Sequence, residues 1–175
     1  MNSKDFNVFI RPITLDDTDD IVRWRNSENV KKYFIFQGDF TREGHLSWYN
    51  NKILTKEVLQ FIIVEKENNT SIGSVFIRDI DYIHKKGEFG IFIGDDSKKG
   101  KGFGEQATKL ILEYAFNVFK LHRIYLRVLA DNSRAISCYK KAGFVIEGTL
   151  RDDALINGHY RDIVWMSMLN SNDSK

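Results

Sequence analysis

The sequence predicts an α+β fold built on a mixed β-sheet. Strand-like runs at 59–64, 72–80 and 87–93 follow one another along the chain, separated by short turns. Residues 105–119 then place apolar side chains at the i, i+3, i+4, i+7 spacing of a helix packed on one face. Alternating apolar residues return at Ile124–Val128. Strands on both sides of a helix in the sequence predict a mixed sheet.

The first half of the chain is predicted to begin with a strand and two helices. Val8–Pro12 has the pattern of a first strand, and Thr14 is a suitable N-cap for a helix over Leu15–Arg25. A second helix is predicted near Thr41–Leu54, and Thr41 itself is the predicted N-cap.

The second half is predicted to end with a short helix and two strands. Asp131 or Asn132 caps this helix, which runs through Lys141 and ends at Gly143, a residue type that favours helix C-termini. Two strands joined by an Asn-Gly loop complete the sheet: Val145–Leu150, Tyr160–Leu169 and the loop around Asn157-Gly158.

Length and composition indicate one domain over residues 1–175. The chain is 42% apolar and 13% aromatic, enough for a sizeable core, and its net charge of +2 gives no case for a nucleic-acid-binding protein. It lacks an apolar run of the roughly 18 to 20 residues that span a bilayer. With one cysteine, Cys138, and no secretory signal, we expect a cytoplasmic protein without membrane association. The histidines and Cys138 do not have metal-ligand spacing, so we expect no metal.

A basic, glycine-rich turn connects the predicted strand at 87–93 to the predicted helix at 105–119. Glycines let a backbone approach a phosphate closely, and the N–H groups at the start of a helix attract anions. The GxxxxGK[ST] phosphate motif does not fit, because it needs Ser or Thr directly after the lysine, where the chain has Gly102. The GxGxxG motif does not fit either, because Gly100, Gly102 and Gly104 alternate strictly. The turn therefore predicts a phosphate site, but not a nucleoside triphosphatase or a nicotinamide enzyme.

The turn resembles the acyl-CoA-binding loop of the GCN5-related N-acetyltransferases, which has the pattern [Arg/Gln]-x-x-Gly-x-[Gly/Ala]. Here the turn reads Lys99-Gly100-Lys101-Gly102-Phe103-Gly104. Lys99 departs from the pattern, because a lysine in place of Arg or Gln keeps a donor and a charge but cannot form planar hydrogen bonds. Residues 121–151 resemble the family's second signature, which contains Asn132, Tyr139 and a following Gly-Phe pair. The sequence of this segment is similar to the sequences of the branch of the family that acetylates ribosomal-protein N-termini, polyamines and amino sugars.

The resemblance implies a mostly antiparallel sheet with helices on both faces, splayed open beside the glycine-rich turn. It also implies transfer of an acetyl group from acetyl-CoA to a primary amine by direct attack in a ternary complex. The residues expected to bind acetyl-CoA are Phe92, Ile93, Gly94, Lys99, Gly100, Lys101, Gly102, Phe103, Gly104, Asn132 and Tyr139.

Two residues are candidates for acid–base catalysis. Tyr139 lies at the family's general-acid position, where a phenol would protonate the departing thiolate; the alternative is a core aromatic residue. Glu88 begins the strand that the resemblance places beside the cofactor, and is a candidate base or a member of a water relay; the alternative is an exposed carboxylate. Asn132 caps its helix, contacts the cofactor, or does both, whereas Cys138 is interpreted as a small packed residue.

A narrower resemblance concerns the amine acceptor. Arg25 and His45 match positions that hold a nucleotide diphosphate in the amino-sugar-nucleotide acetyltransferases of pseudaminic-acid synthesis, and Phe92 matches an aromatic residue beside the substrate. The alternatives are a helix C-terminal arginine and a surface histidine, and Asp79 would repel a diphosphate.

The predicted acceptor is therefore a nucleotide-linked amino sugar. A polyamine such as spermidine and a ribosomal-protein N-terminus are the alternative acceptors, and a catalytically silent CoA-binding module is the alternative that is not an enzyme. A homodimer is possible, with Trp165 in the core or at the dimer interface.

Overall fold

A computed structural model describes residues 5–171 and contains a seven-stranded mixed sheet. The strands lie in the order β1-β2-β3-β4-β5-β7-β6. Their bounds are β1 Val8–Pro12, β2 Leu59–Glu65, β3 Thr70–Asp81, β4 Lys86–Ile93, β5 Arg123–Leu129, β6 Val145–Ile156 and β7 His159–Leu169. All neighbouring pairs are antiparallel except β4 and β5, which are parallel.

Five α-helices of the described residues pack on this sheet. They are α1 Thr18–Asn26, α2 Glu28–Lys31, α3 Arg42–Trp48, α4 Phe103–Asn117 and α5 Ser133–Ala142. The strand β2 shows how the two faces are covered, because successive residues belong to different cores. Phe61 and Ile63 contact the cluster that contains α4, whereas Ile62 and Val64 contact the cluster that contains α1. Helices therefore lie on both faces, as the resemblance implied.

The sheet opens between its two central strands. The parallel pairing of β4 with β5 comprises only Lys86 with Arg123, Gly87 with Ile124, and Glu88 with Tyr125. Beyond Glu88, β4 continues to Ile93 on the β3 side, and β5 continues to Leu129 on the β7 side. The fold of the sequence prediction is thus confirmed, including the splayed sheet.

Close packing fixes the position of α1 against the end of β4. A Cβ built on Gly94 would lie 2.1 Å from Cγ of the buried Trp24. The indole of Trp24 also packs edge-to-face against Phe92, with ring centroids 6.3 Å apart. The first helix is therefore held directly above the strand that borders the opening.

The predicted element boundaries are confirmed to within a few residues, with local exceptions. The helix predicted from Leu15 begins with a 3₁₀ turn, Leu15–Asp17, because Thr14 and Asp17 form a capping box there. The helix predicted near Thr41–Leu54 is α3 followed by a π-helical turn at Tyr49–Ile53. The short helix α2 was not predicted, since four residues are too few to show a period.

Three predicted caps and turns are present. The Asn132 side chain accepts a hydrogen bond from the Ala135 N–H, so Asn132 rather than Asp131 caps α5. Gly143 ends α5 with a φ of 110°. The strands β6 and β7 are longer than predicted and meet at Asn157-Gly158, where both residues have a positive φ.

Candidate active site

A cavity of about 590 Å³ occupies the opening between β4 and β5. Its walls include Phe89 to Phe92 from β4 and Leu126 to Leu129 from β5, together with Asn132 and Tyr139 from the α5 region. The opposite wall contains side chains from α1, α3 and the loop between α2 and α3. The cavity therefore connects the two faces of the sheet.

Arg25, at the end of α1, is a buried cation in this wall. Its guanidinium carbon lies 3.3 Å from the ring centroid of Phe34, 4.4 Å from that of Phe40 and 5.8 Å from that of Phe92. Arg25 is 7% exposed, and its Nη1 has no hydrogen-bond partner among residues 5–171. Burial, and next the charge of Arg78, lower the pKa of Arg25 to about 10.

His45, on α3, is the second buried polar residue of the same wall. Its Nδ1 lies 3.2 Å from Thr18 Oγ1, and Thr18 Oγ1 donates its own proton to the Leu15 carbonyl at 2.6 Å. Nδ1 therefore carries the proton, and Nε2, which has no partner among the described residues, is left as an acceptor in the neutral ring. Burial lowers the pKa of His45 and favours this neutral form, while the charge of Asp17 opposes the shift.

Glu88 lies at the point where β4 and β5 separate and is 4% exposed. Arg127 binds it through two hydrogen bonds, Nε to Oε1 at 3.0 Å and Nη2 to Oε2 at 3.1 Å, and Arg78 donates to Oε2 at 3.2 Å. Burial raises the pKa of Glu88, but the hydrogen bond from Arg127 and the charge of Arg78 outweigh it, and the pKa lies below its usual value. Glu88 is thus a buried, ion-paired carboxylate rather than an exposed one.

Tyr139 approaches the cavity from the other face of the sheet. Its ring packs edge-to-face on Phe89, with centroids 5.6 Å apart, and it also contacts Phe144 at 6.1 Å. Burial raises the pKa of Tyr139, so the phenol stays protonated at neutral pH. The side chain is both a packed aromatic residue and part of the cavity wall.

The glycine-rich turn has the geometry of an anion cradle. Gly100 and Gly102 have φ values of 84° and 81°, which favour glycine, and Gly102 is the N-cap of α4. The first N–H groups of this 15-residue helix therefore face the turn without a capping side chain. Lys101 is exposed beside them. These residues fit a ligand that carries phosphate groups.

The two other lysines of the turn are tied to neighbouring elements. Lys98 Nζ lies 2.6 Å from Glu65 Oε2, at the end of β2. Lys99 pairs with Asp96, and its Nζ also donates to the Asn29 carbonyl of α2 at 3.3 Å. The turn is consequently braced against α2 and β2.

The remaining predicted cofactor residues are positioned by packing. Phe92 is buried on the α1 face, and Ile93 packs on the opposite core. Phe103 anchors the start of α4 in that second core, and Gly104 lies against Cys138, where a Cβ would be 3.7 Å from Sγ. Cys138 is part-buried, and burial raises the pKa of its thiol, in agreement with a packed residue.

Sequence reasoning missed the partners of the predicted residues. Arg78 lies 10 residues before Glu88 and Arg127 lies 39 residues after it. The register of the antiparallel β3–β4 pair and the adjacent β5 bring them together. Phe34 and Phe40 lie in a connection without a periodic pattern, so their packing on Arg25 was not predictable either.

The part of the chain covered by the structure offers no cluster of three or more His, Cys, Asp or Glu side chains that could hold a metal ion. No helix within residues 5–171 is long and apolar enough to cross a membrane.

The fold and the cavity define this chain as a member of the GNAT acetyltransferase family. A family profile described as "Acetyltransferase (GNAT) domain" matches residues 7–145. The spermidine N(1)-acetyltransferase of Vibrio cholerae is 33% identical over 171 residues, covering 98% of this chain and 96% of that protein. The spermidine N(1)-acetyltransferase of Escherichia coli K12 is 31% identical over 160 residues, covering 91% of this chain and 84% of that protein.

Solved structures agree with these relatives. The crystal structure of the Vibrio cholerae spermidine N-acetyltransferase in complex with CoA and spermine superposes with a TM-score of 0.88. The two chains are 31% identical, and the match covers 94% of this chain and 96% of that one. A dodecameric structure of the Vibrio cholerae enzyme also matches, with a TM-score of 0.79. The chain is therefore an acetyl-CoA-dependent N-acetyltransferase, as predicted; the acetyl group it transfers is supplied as the thioester of CoA.

Proposed function

We propose that the acceptor is a primary amine on a molecule that also carries negative charge, as in the predicted nucleotide-linked amino sugar. The observation behind this proposal is Arg25, a buried guanidinium that lines the cavity and has an unpartnered Nη1 among the described residues. Burying an unpaired charge is costly, and a bound phosphate would compensate for it through charge-assisted hydrogen bonds. Arg25 is thus suited to an anionic ligand.

The charges around the cavity support the same acceptor. Arg25, Arg78 and Arg127 line it, against the carboxylates of Glu88 and Asp39. Both carboxylates already have cationic partners, Glu88 with two arginines and Asp39 with Lys31 at 2.6 Å. A polycation would find no uncompensated carboxylate in the described wall, and it would meet the charge of Arg25.

The relatives favour a second acceptor, a polyamine. The proteins of Vibrio cholerae and Escherichia coli are named for spermidine, and the superposed structure contains spermine. None of the relatives described above is named for an amino-sugar acceptor. A polyamine is therefore the acceptor that the comparisons support, whereas the charges in the cavity support the anionic one.

Within the proposed mechanism, Glu88 and Tyr139 act from opposite faces of the sheet. Presenting an amine of pKa about 10.4 in neutral form at pH 7 costs about 4 to 5 kcal/mol, and an amine beside electron-withdrawing sugar oxygens costs less. Because two arginines bind Glu88, it is a weak proton acceptor and is better suited to orienting the amine or a relaying water. The protonated phenol of Tyr139 is suited to protonate the departing thiolate.

His45 is assigned a different role from the one predicted. A neutral ring with its proton on Nδ1 accepts a hydrogen bond at Nε2, so it would bind a hydroxyl or amine of the acceptor rather than a phosphate. Phe92 stays a proposed neighbour of the acceptor, since it packs on Arg25 and lines the cavity.

The backbone N–H groups of Phe92, Ile93 and Gly94 and the side chain of Asn132 stay proposed contacts of the cofactor. Asn132 lines the cavity, and its Oδ1 is already used as the helix cap. Its Nδ2 group therefore remains the part of the side chain suited to bind the cofactor.

Self-association is a further proposal for this chain. The edge strand β6 exposes Val145, Leu150 and Leu155, and Trp165 of the neighbouring β7 is only partly buried. The dodecamer formed by the Vibrio cholerae relative supports assembly. Light scattering on the purified protein would measure the mass directly.

Steady-state thiol-release assays with UDP-linked amino sugars, spermidine and an N-terminal peptide test the acceptor. Arg25→Met keeps the packing volume but removes the charge, and we expect it to raise the KM of a UDP-amino sugar about 10- to 100-fold, the effect of losing a charge-assisted hydrogen bond. Arg23→Met is the matched control on the same helix, because the Arg23 side chain is 69% exposed.

A polyamine acceptor predicts the opposite result. Spermidine would then be the substrate with the highest kcat/KM, and Arg25→Met would leave its KM unchanged or lower it by removing a repelling charge. That outcome would contradict the proposed anionic acceptor, whereas the assignment of the chain as an acetyltransferase would be unaffected.

A further inference from the structure

The cofactor turn departs from the family pattern at Lys99, and this residue has other partners in the structure. A lysine at this position keeps positive charge but has no planar set of donors for a phosphate. Lys99 Nζ pairs with Asp96 and donates to the Asn29 carbonyl at 3.3 Å. The position that the family fills with Arg or Gln therefore braces the turn against α2 here, and the cradle lacks its usual planar donor at this position.

Two planar donors from other elements lie beside the two left-handed glycines of the turn. A Cβ built on Gly100 would be 3.5 Å from Nη2 of Arg134, in the first turn of α5. A Cβ built on Gly102 would be 4.0 Å from Nε2 of Gln106, in α4. Because Gln106 Oε1 accepts the Asn7 N–H at 2.8 Å, its Nε2 donor is directed to the side of Gly102.

We propose that Arg134 is a CoA-binding residue, and that its guanidinium, assisted by the Gln106 amide, supplies the planar hydrogen bonding that Lys99 cannot. Guanidinium groups bind phosphate oxygens through two parallel N–H donors. The exposed position of Arg134 beside Gly100 places these donors at the rim of the cradle, next to the free N–H groups at the start of α4. CoA offers two such ligands, its diphosphate and its 3′-phosphate.

Calorimetry with CoA alone tests this inference independently of the acceptor and of turnover. We expect Arg134→Ala to weaken CoA binding about tenfold, the effect of a charge-assisted hydrogen bond. Arg134→Lys should recover only part of the loss, because it restores the charge without the planar donors. Lys140→Ala is the matched control, since it removes one positive charge from an exposed position on the same helix and should change the affinity less than twofold.

Dephospho-CoA, which lacks the 3′-phosphate, distinguishes the two ligands. If Arg134 binds the 3′-phosphate, the effect of Arg134→Ala disappears with dephospho-CoA; if it binds the diphosphate, the effect persists. Wild-type affinity of Arg134→Ala for CoA, or an equal loss in Lys140→Ala, would overturn the inference. Because Arg134 is exposed, thermal unfolding of the variants should match that of the wild type, and the affinities can be compared directly.

Discussion

Arg127 binds Glu88 across the opening of the sheet, two residues beyond Tyr125, where the backbone pairing of β4 and β5 ends. Arg127 Nε donates to Glu88 Oε1 at 3.0 Å, and Arg127 Nη2 donates to Glu88 Oε2 at 3.1 Å. These side-chain hydrogen bonds join β5 to β4 just past the last backbone pair of the two strands. Arg78 reaches the same carboxylate from β3. The bottom of the cavity is consequently held by side chains of three strands.

Removing Arg127 should destabilise the fold. Arg127→Met leaves the buried Glu88 carboxylate with one cationic partner, and we expect the free energy of unfolding in urea to fall by about 1–3 kcal/mol. Glu88→Gln combined with Arg127→Met should cost less than the sum of the single changes, since no unpaired charge is left. Additive costs in this cycle would show that the two side chains do not act as a pair.

Tyr139→Phe should separate catalysis from binding. Loss of the phenol is expected to lower kcat by about 100-fold, the size of a general-acid contribution, while CoA binding measured by calorimetry stays unchanged. The pKa of Tyr139 is raised by burial, so its ionisation should not reduce the rate of the wild type below pH 10. A variant that loses CoA affinity and activity together would point to a packing role only.

Gly94→Ala should shift α1. Its new Cβ would lie 2.1 Å from Trp24, which is buried and cannot move aside, so we expect a loss of about 1–3 kcal/mol on thermal unfolding. Gly148→Ala is the control, because a Cβ there meets no atom within 4 Å. The Gly94 variant should also weaken acceptor binding, since α1 carries Arg25; equal stability of the two variants would contradict this packing argument.

The Arg123–Glu147 pair predicts a loss of stability in acid. Hydrogen bonds from Arg123 and then Ser167 lower the pKa of Glu147 from 4.5 to about 2. A lowered pKa means that the stabilisation is present above pH 4.5 and is lost as the pH falls towards 2. The difference in unfolding free energy between wild type and Glu147→Gln should therefore shrink over this range in urea titrations; a constant difference would show that the charge of Glu147 contributes nothing.

Periodicity and turn chemistry were sufficient to predict most elements of this fold. The alternation in β5, the helical spacing in α4 and the glycine at 143 each depend on neighbours in the chain, so a single sequence contains the signal. The capping box at Thr14 and Asp17 shows the limit, because it forms a 3₁₀ turn and delays the start of α1. Local sequence patterns therefore predict that a helix is present but not the residue at which its α-helical part begins.

The site was predicted only in part, for a reason of geometry. Tyr139, Glu88, Arg25 and His45 were chosen by resemblance, and the structure brings all four to one cavity. Their environments depend on contacts that local patterns do not show: Arg127 binds Glu88 from a strand 39 residues away, and Phe34 packs on Arg25 from an irregular connection. The ionised state of Glu88 and the acceptor character of His45 follow from those partners and could not be read from residue types.

The early separation of β4 from β5 leaves a strand edge inside the molecule instead of at its surface. Peptide groups along such an edge readily recruit an extended chain, which is why exposed edges promote aggregation. Here the side of β4 that faces β5 borders the cavity along Phe89 to Phe92. We expect a ligand with amide groups along its length, as the arm of CoA has, to pair with this inner edge of β4 like an added strand.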